Sequence, residues 1–214
     1  MYDRVSLMKK EIHKYVVISS AAPPVGGRSP LTPRFMRHNH VFSLPDPTDE
    51  TVNIIFTTIV SEFMKQRGFS EDVRKLAPNG VTATIELYNS ISARLLPIPA
   101  KFHYTFNMRD IAKVFQGIMM TAAKSILKGD TYTKLWMHEC FRVFNDRLIN
   151  EEDRVIFRDF IMDLLRSKFK VNWEAEDIFG ENYVIFSMLL KVEADEKLYE
   201  EIIDKKKLNT TLEN

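Results

Sequence analysis

The sequence predicts a mainly α-helical protein, on three observations. Apolar residues recur every three to four positions through successive stretches between residues 51 and 169, the spacing that gathers them on one helix face. The breaks between these stretches are short, as in a bundle. Phe is common, at 15, and Gly scarce, at 7, which favours an aromatic-packed helical body over a turn-rich β sandwich.

The bulk numbers narrow the class further. With 45% hydrophobic and 28% charged residues, the 214-residue chain has ordinary globular usage. No apolar run reaches the roughly 18 residues of a membrane helix, and MYDRVSLMKKEI carries no apolar signal core. These features predict no membrane partner and a cytoplasmic or cytoskeletal location. A lone Cys140 leaves no internal disulfide and fits a reducing compartment. A net charge of +1 gives no general attraction to nucleic acid.

Three sections follow in order. Residues 1–46 read as strand, loop, short helix, strand. YVVISSA (15–21) is β-branched and short, hence a strand, and AAPPVGG turns the chain. Thr32 then caps a helix with Pro33 in its first position, and HVFSL (40–44) is a second strand. Residues 47–170 hold the bundle. The stretch 51–65 sets Val52, Ile55, Phe56, Ile59 and Phe63 on one face, and 81–96 does so with Ile85, Leu87, Tyr88, Ile91 and Leu95. In 107–127 the stripe is Ile111, Phe115, Ile118, Ala122 and Ile126, opened by a capping box of Asn107 and Asp110. Trp136, Cys140, Phe144 and Leu148 line 132–148. Val155, Phe160, Leu164 and Leu165 line 151–169, with Asn150 available as a cap. Residues 171–214 are less periodic and are expected to wrap the bundle, ending in an amphipathic helix that runs from acidic to basic.

Phosphate-cradling G-x-x-x-x-G-K-[ST] and dinucleotide G-x-G-x-x-G signatures are both missing. His138-Glu139 lacks the second histidine of a zinc motif, because position 142 is Arg, so the pair reads as a solvated polar face and no metal site is expected. Cys140 lies on an apolar stripe and reads as core. Glu151, Glu152 and Asp153 read as a helix start.

Unpaired positive charge is the conspicuous feature. From Ile12 to Pro45 there is no Asp or Glu, yet Arg28, Arg34 and Arg37 lie there. Arg34 and Arg37, three apart, share a helix face. A rigidly presented guanidinium suits phosphate recognition; pairing with carboxylates elsewhere in the fold is the other reading. Arg109 sits at the start of the 107–127 helix, off the apolar stripe and in line with Lys113 and Gln116. A helix N-terminus favours anions, so Arg109 is either a surface residue or a phosphate contact.

Three runs, PPVGGRSPLTPRFMRHNHVF, FHYTFNMRDIAKVFQGIM and LWMHECFRVFNDRLINEEDR, resemble dynein heavy chains of the axonemal branch, in the third AAA+ module of the motor ring. The resemblance covers nearly the whole chain in order. It implies a helical AAA+ lid bundle (47–170), preceded by the end of the large α/β subdomain with its finger loop (1–46) and followed by a lead-in to the next module (171–214). It further implies that Arg37 is an arginine finger acting on the neighbouring module's site, with Arg28 and Arg34 in support. Arg109 would be the sensor-2 arginine of its own module. ATP or ADP would bind the intact module, and none is expected on this stretch alone. The Walker A and B segments lie upstream in that family, and its usual polar sensor position is held here by Ala21-Ala22. The implied partners are the adjacent AAA+ modules, the dynein complex and, indirectly, the microtubule, in a ciliary or flagellar axoneme. A free-standing interaction domain whose basic loop binds an acidic partner is the alternative.

Overall fold

The computed structural model describes residues 2–22, 29–180, 183–189, 198–203 and 208–211. The chain forms two compact units, 1–46 and 47–214.

Unit 1 is held by local bonds. Asp3 accepts from the backbone N–H groups of Val5 and Ser6, both at 2.9 Å, and an antiparallel bridge joins Tyr2 to Lys9. Helix α1 (Pro33–Met36) starts as expected: Pro33 is in the first turn and the Thr32 hydroxyl accepts from Phe35 N–H at 3.4 Å. The strands expected at 15–21 and 40–44 are not formed; both segments lack a ladder. A strand is stable only beside a partner strand with a face to bury, and Val16 (87% exposed) and Phe42 (84% exposed) have neither.

Unit 2 is the helical bundle. Helix α2 (Asp49–Gln66) is capped by Thr48, and α3 (Glu71–Arg94) packs along it. Between them Gly68 takes φ +74°, and Phe69 N–H returns to the Met64 carbonyl at 3.0 Å. This is the left-handed C-terminal cap for which glycine is favoured. The buried stripe of α2 is Val52, Val60 and Met64, with Phe56 and Phe63 half-buried; Ile55 and Ile59, expected inside, are exposed. Rotating the stripe by one position brings Phe56 against Phe115, with ring centroids 4.9 Å apart.

Helix α3 begins ten residues before its expected start and runs through Pro78-Asn79-Gly80. Those residues punctuate a chain when nothing holds it. Here Val73, Ala77 and Val81 are fully buried on one face, and burial outweighs propensity. Gly80 lets α3 approach Tyr132, whose ring a Cβ would strike.

Helix α4 (Met108–Ile118) is shorter than expected, closing at Met119, and Ala123–Ser125 forms a separate single turn. Helix α5 (Gly129–Cys140) continues into a π turn, Phe141–Asn145; α6 (Glu151–Leu164) continues into another, Leu165–Phe169. The Trp136, Cys140, Phe144, Leu148 stripe is buried throughout. Trp136 sits 4.8 Å from Phe169 and donates its indole N–H to Thr84 at 2.8 Å. On α6 the buried line is Phe157, Ile161, Leu164 and Leu165, while Val155 is exposed. Asn150 occupies the cap position without a side-chain cap bond.

The last section lies against this bundle. After α7 (Ala175–Phe179), strand β1 (Phe186–Ser187) pairs antiparallel with β2 (Glu200–Glu201). The helix expected across 193–214 is therefore not what 199–201 adopt, and among the described residues only 208–211 are helical there. Tyr199 and Ile202 are buried and Phe186 packs on Tyr199, so cross-strand contacts decide the local structure.

Candidate functional site

The start of α4 is the most tightly built arginine site. Asn107, in extended conformation, accepts the Arg109 N–H through its side chain at 2.9 Å. Asp110 closes the capping box by accepting the Asn107 N–H at 3.1 Å. The predicted cap is thus present, and the fold adds a second clamp. Arg147, just beyond the π turn, donates to Asp110 Oδ1 at 2.7 Å and Oδ2 at 3.4 Å. Its Nε donates to the Val143 carbonyl at 3.1 Å, and its guanidinium lies 5.2 Å from the Phe106 ring centroid. Asp110 is only 2% exposed. Burial alone would raise its carboxyl; the hydrogen bonds from Arg147 and the Asn107 backbone outweigh that and hold it below the ordinary value of 3.8.

Arg109 projects from this fixed turn. It is exposed, as are Lys113 and Gln116 on the same line, and it meets no carboxylate among the described residues. Lys113 by contrast is spoken for, reaching Asp110 at 3.4 Å.

In unit 1, Arg34 and Arg37 share the single turn of α1. Arg37 closes that turn through its N–H to the Pro33 carbonyl at 3.0 Å, and its Nε donates to His38 Nε2 at 2.9 Å. Asn39 ties the turn down by donating to the Phe35 carbonyl at 2.8 Å. Both arginines are exposed, and neither meets a carboxylate among the described residues. Phe35 on the same turn is 55% exposed, because unit 1 offers no core to receive it. Arg28 lies outside the described residues.

Three polar networks were invisible in the sequence. The first is Asp110–Arg147. The second centres on Glu139, which is fully buried rather than solvated: Tyr199 donates to it at 2.6 Å and Arg142 at 2.7 Å. The third centres on Asp153, read from sequence as part of a helix start. It is 7% exposed and takes Tyr104 Oη at 2.8 Å and Lys101 Nζ at 2.6 Å. Spacing carried a trace of the second alone: Arg142 follows Glu139 by three, and Glu139 follows Trp136 by three on a stripe that is otherwise apolar. Beside the π turn lies a cleft of about 390 Å³, walled by Phe141, Phe179, Arg142 and Arg158. Both of its arginines already hold carboxylates, Glu139 and Glu151, and Arg109 does not line it.

Cys140 is fully buried, and burial pushes its thiol well above the ordinary value, so it stays protonated core. Among the described residues no three His, Cys, Asp or Glu side chains converge as metal ligands, and no helix is long and apolar enough to cross a membrane.

Comparison with known proteins places this architecture. Residues 80–178 match a family model of the AAA+ lid domain, which gives unit 2 its class. Residues 1–47 match the P-loop containing dynein motor region. The chain is 38% identical over 215 residues to dynein axonemal heavy chain 6 of Homo sapiens, covering 100% of this chain and 5% of that protein. It is 34% identical over 212 residues to dynein axonemal heavy chain 2 of Mus musculus, again 5% of the relative. A ciliary dynein beta chain of Heliocidaris crassispina matches 79% of the chain at 34% identity. The chain belongs to the dynein heavy-chain family, and it spans about one-twentieth of the length of these relatives.

Proposed function

We propose that this chain is the lid and finger loop of the third AAA+ module of an axonemal dynein motor, where it senses bound nucleotide and passes that state between modules. The observation that carries this reading is Arg109. Its turn is fixed by Asn107, Asp110 and Arg147 while its guanidinium meets no carboxylate among the described residues. An arginine held this way is pre-organised for one end of a triphosphate. The remaining cradle of backbone N–H groups is not encoded in this sequence, so ATP or ADP would be held mainly by other residues of the intact module, and this stretch alone would not hydrolyse ATP.

Arg37 plays the complementary part. Closing α1 with an exposed guanidinium, it serves the preceding module's nucleotide as an arginine finger, with Arg34 beside it. Lid rotation follows from differential contacts: Arg109 gains an interaction when a γ-phosphate is present and loses it after release. The partners are the neighbouring modules of the same heavy chain, and through the motor the microtubule, in a ciliary or flagellar axoneme.

Two experiments test this. ATP added to the 214-residue chain alone gives no measurable heat of binding; micromolar affinity would contradict the reading, because one or two guanidinium groups without a cradle cannot supply it. In the intact motor, Arg37→Ala weakens the nucleotide response at the preceding module's site. Normal ring closure and signalling in that variant would remove Arg37 from the finger role.

A further inference from the structure

Glu139 is a fully buried carboxylate on a helix otherwise packed with aromatic and aliphatic groups. Such a charge is costly unless each oxygen finds a donor. Here three elements converge on it. Helix α4 approaches through Gly117, where an added Cβ would collide with the carboxylate. The π turn supplies Arg142, whose Nε and Nη2 donate to Oε2 at 2.9 and 2.7 Å. Arg142 Nη2 also reaches the Lys113 carbonyl of α4 at 3.5 Å. The strap formed by residues 183–189 and 198–203 supplies Tyr199, whose hydroxyl donates to the other oxygen, Oε1, at 2.6 Å.

The rest of the strap is held mainly by apolar burial, with Phe186 and Ile202 sealed from solvent. The backbone of Tyr199 bridges Thr121 just past the end of α4. Phe186 and Tyr199 stack with centroids 6.0 Å apart, and His138 lies 5.7 Å from Phe186. Lys134 pairs with Glu201 at 2.8 Å, but both side chains are partly in solvent, where such pairs contribute little. The core runs from Val52 through Trp136 to Phe169, most of it on α2 to α6, and takes in Phe186 and Tyr199 of the strap at its edge.

We infer that Tyr199 is a latch: its hydroxyl on the buried Glu139 carboxylate fixes strap residues 183–189 and 198–203 to α4 and α5, and breaking that one bond loosens those residues while the bundle stays folded. The latch stands whether or not the chain senses nucleotide. If Arg109 does read a phosphate at the start of α4, the same helix ends beside Tyr199, and the latch is where its tilt would reach the strap; that consequence rests on the proposed function.

Hydrogen–deuterium exchange on the 214-residue chain tests the latch alone. Tyr199→Phe keeps the ring and removes the donor. Strap amides are expected to exchange about ten- to a hundredfold faster, the scale of a lost hydrogen bond to a charged group, with α3, α4 and α5 unchanged. Lys134→Met, which cuts the solvent-facing pair on the same strap, is expected to change strap exchange by less than about threefold. Three results overturn the inference: strap exchange unchanged in Tyr199→Phe, strap and α4–α5 accelerating together, or Lys134→Met loosening the strap as much as Tyr199→Phe.

Discussion

Unit 1 and unit 2 have similar kinds of residues and opposite physical states. In unit 2, Trp136, Phe115, Phe144 and Phe157 are sealed from solvent, and buried carboxylates are each met by an arginine, lysine or tyrosine. In unit 1 no described residue is buried; Ile18 is 92% exposed and Leu44 89%. The β-branched run at 15–21 is as apolar as many core strands, but apolar content stabilises only when a second surface covers it. The difference teaches where to look for each unit's role. Unit 2 owns its framework and aims Arg109 from it; unit 1 holds Arg34 and Arg37 on one capped turn and nothing larger.

Breaking that contrast calls first for the core. Trp136→Ala should cost unit 2 about 3–5 kcal/mol, the range for a large buried aromatic, read by denaturant unfolding. Ile18→Ala should leave the same transition in place. A comparable loss in both would mean that unit 1 is buried after all.

The α4 clamp comes next. Arg147→Ala leaves Asp110 buried without its bidentate partner and should cost about 3 kcal/mol. Adding Asp110→Asn should recover part of that loss, because the uncompensated charge is gone. A purely additive double variant would sever the two residues from one another.

Acid sensitivity sharpens the comparison further. Asp110 and Asp153 both titrate below 3.8; at Asp153 burial pushes upward but Lys101 and Tyr104 hydrogen bonds prevail. A carboxyl depressed in the folded state stabilises fully above its unfolded value and loses that contribution as pH falls through the folded one. Asp153→Asn should therefore lower stability at neutral pH, and the gap to the native chain should close between about pH 5 and 2. A gap that widens on acidification would reverse the sign and refute the assignment.

The smallest effect is the most useful control. Arg37→Ala should leave the unfolding midpoint where it is, since its side chain is exposed in a unit without a core. Any functional loss in that variant is then chemical rather than structural.

What the sequence disclosed follows the same line. Features set by nearest neighbours were legible: the Thr32 cap, the Asn107–Asp110 box and the stripe through Trp136, Cys140, Phe144 and Leu148. Features decided by distant contacts were not. Pro78 and Gly80 look like a break until α3 is seen packed through them, and Glu139 looks solvated until Gly117 and Tyr199 arrive from elsewhere in the chain. The strands at 15–21 and 40–44 had the right residues and no partner. Of the candidate site, Arg34, Arg37 and Arg109 are exposed and meet no carboxylate among the described residues; the Arg147 clamp on Asp110, beside Arg109, spans 37 positions and no local pattern announces it.

The most direct measurement is nucleotide affinity in an intact dynein motor carrying Arg109→Ala, compared with Arg147→Ala and Arg37→Ala. Arg109→Ala should weaken ATP more than ADP at its own module, Arg147→Ala should do the same in milder form, and Arg37→Ala should leave that module's affinities unchanged while altering the preceding one. Equal ATP and ADP affinities in native and Arg109→Ala motors would contradict the claim that this arginine feels the γ-phosphate.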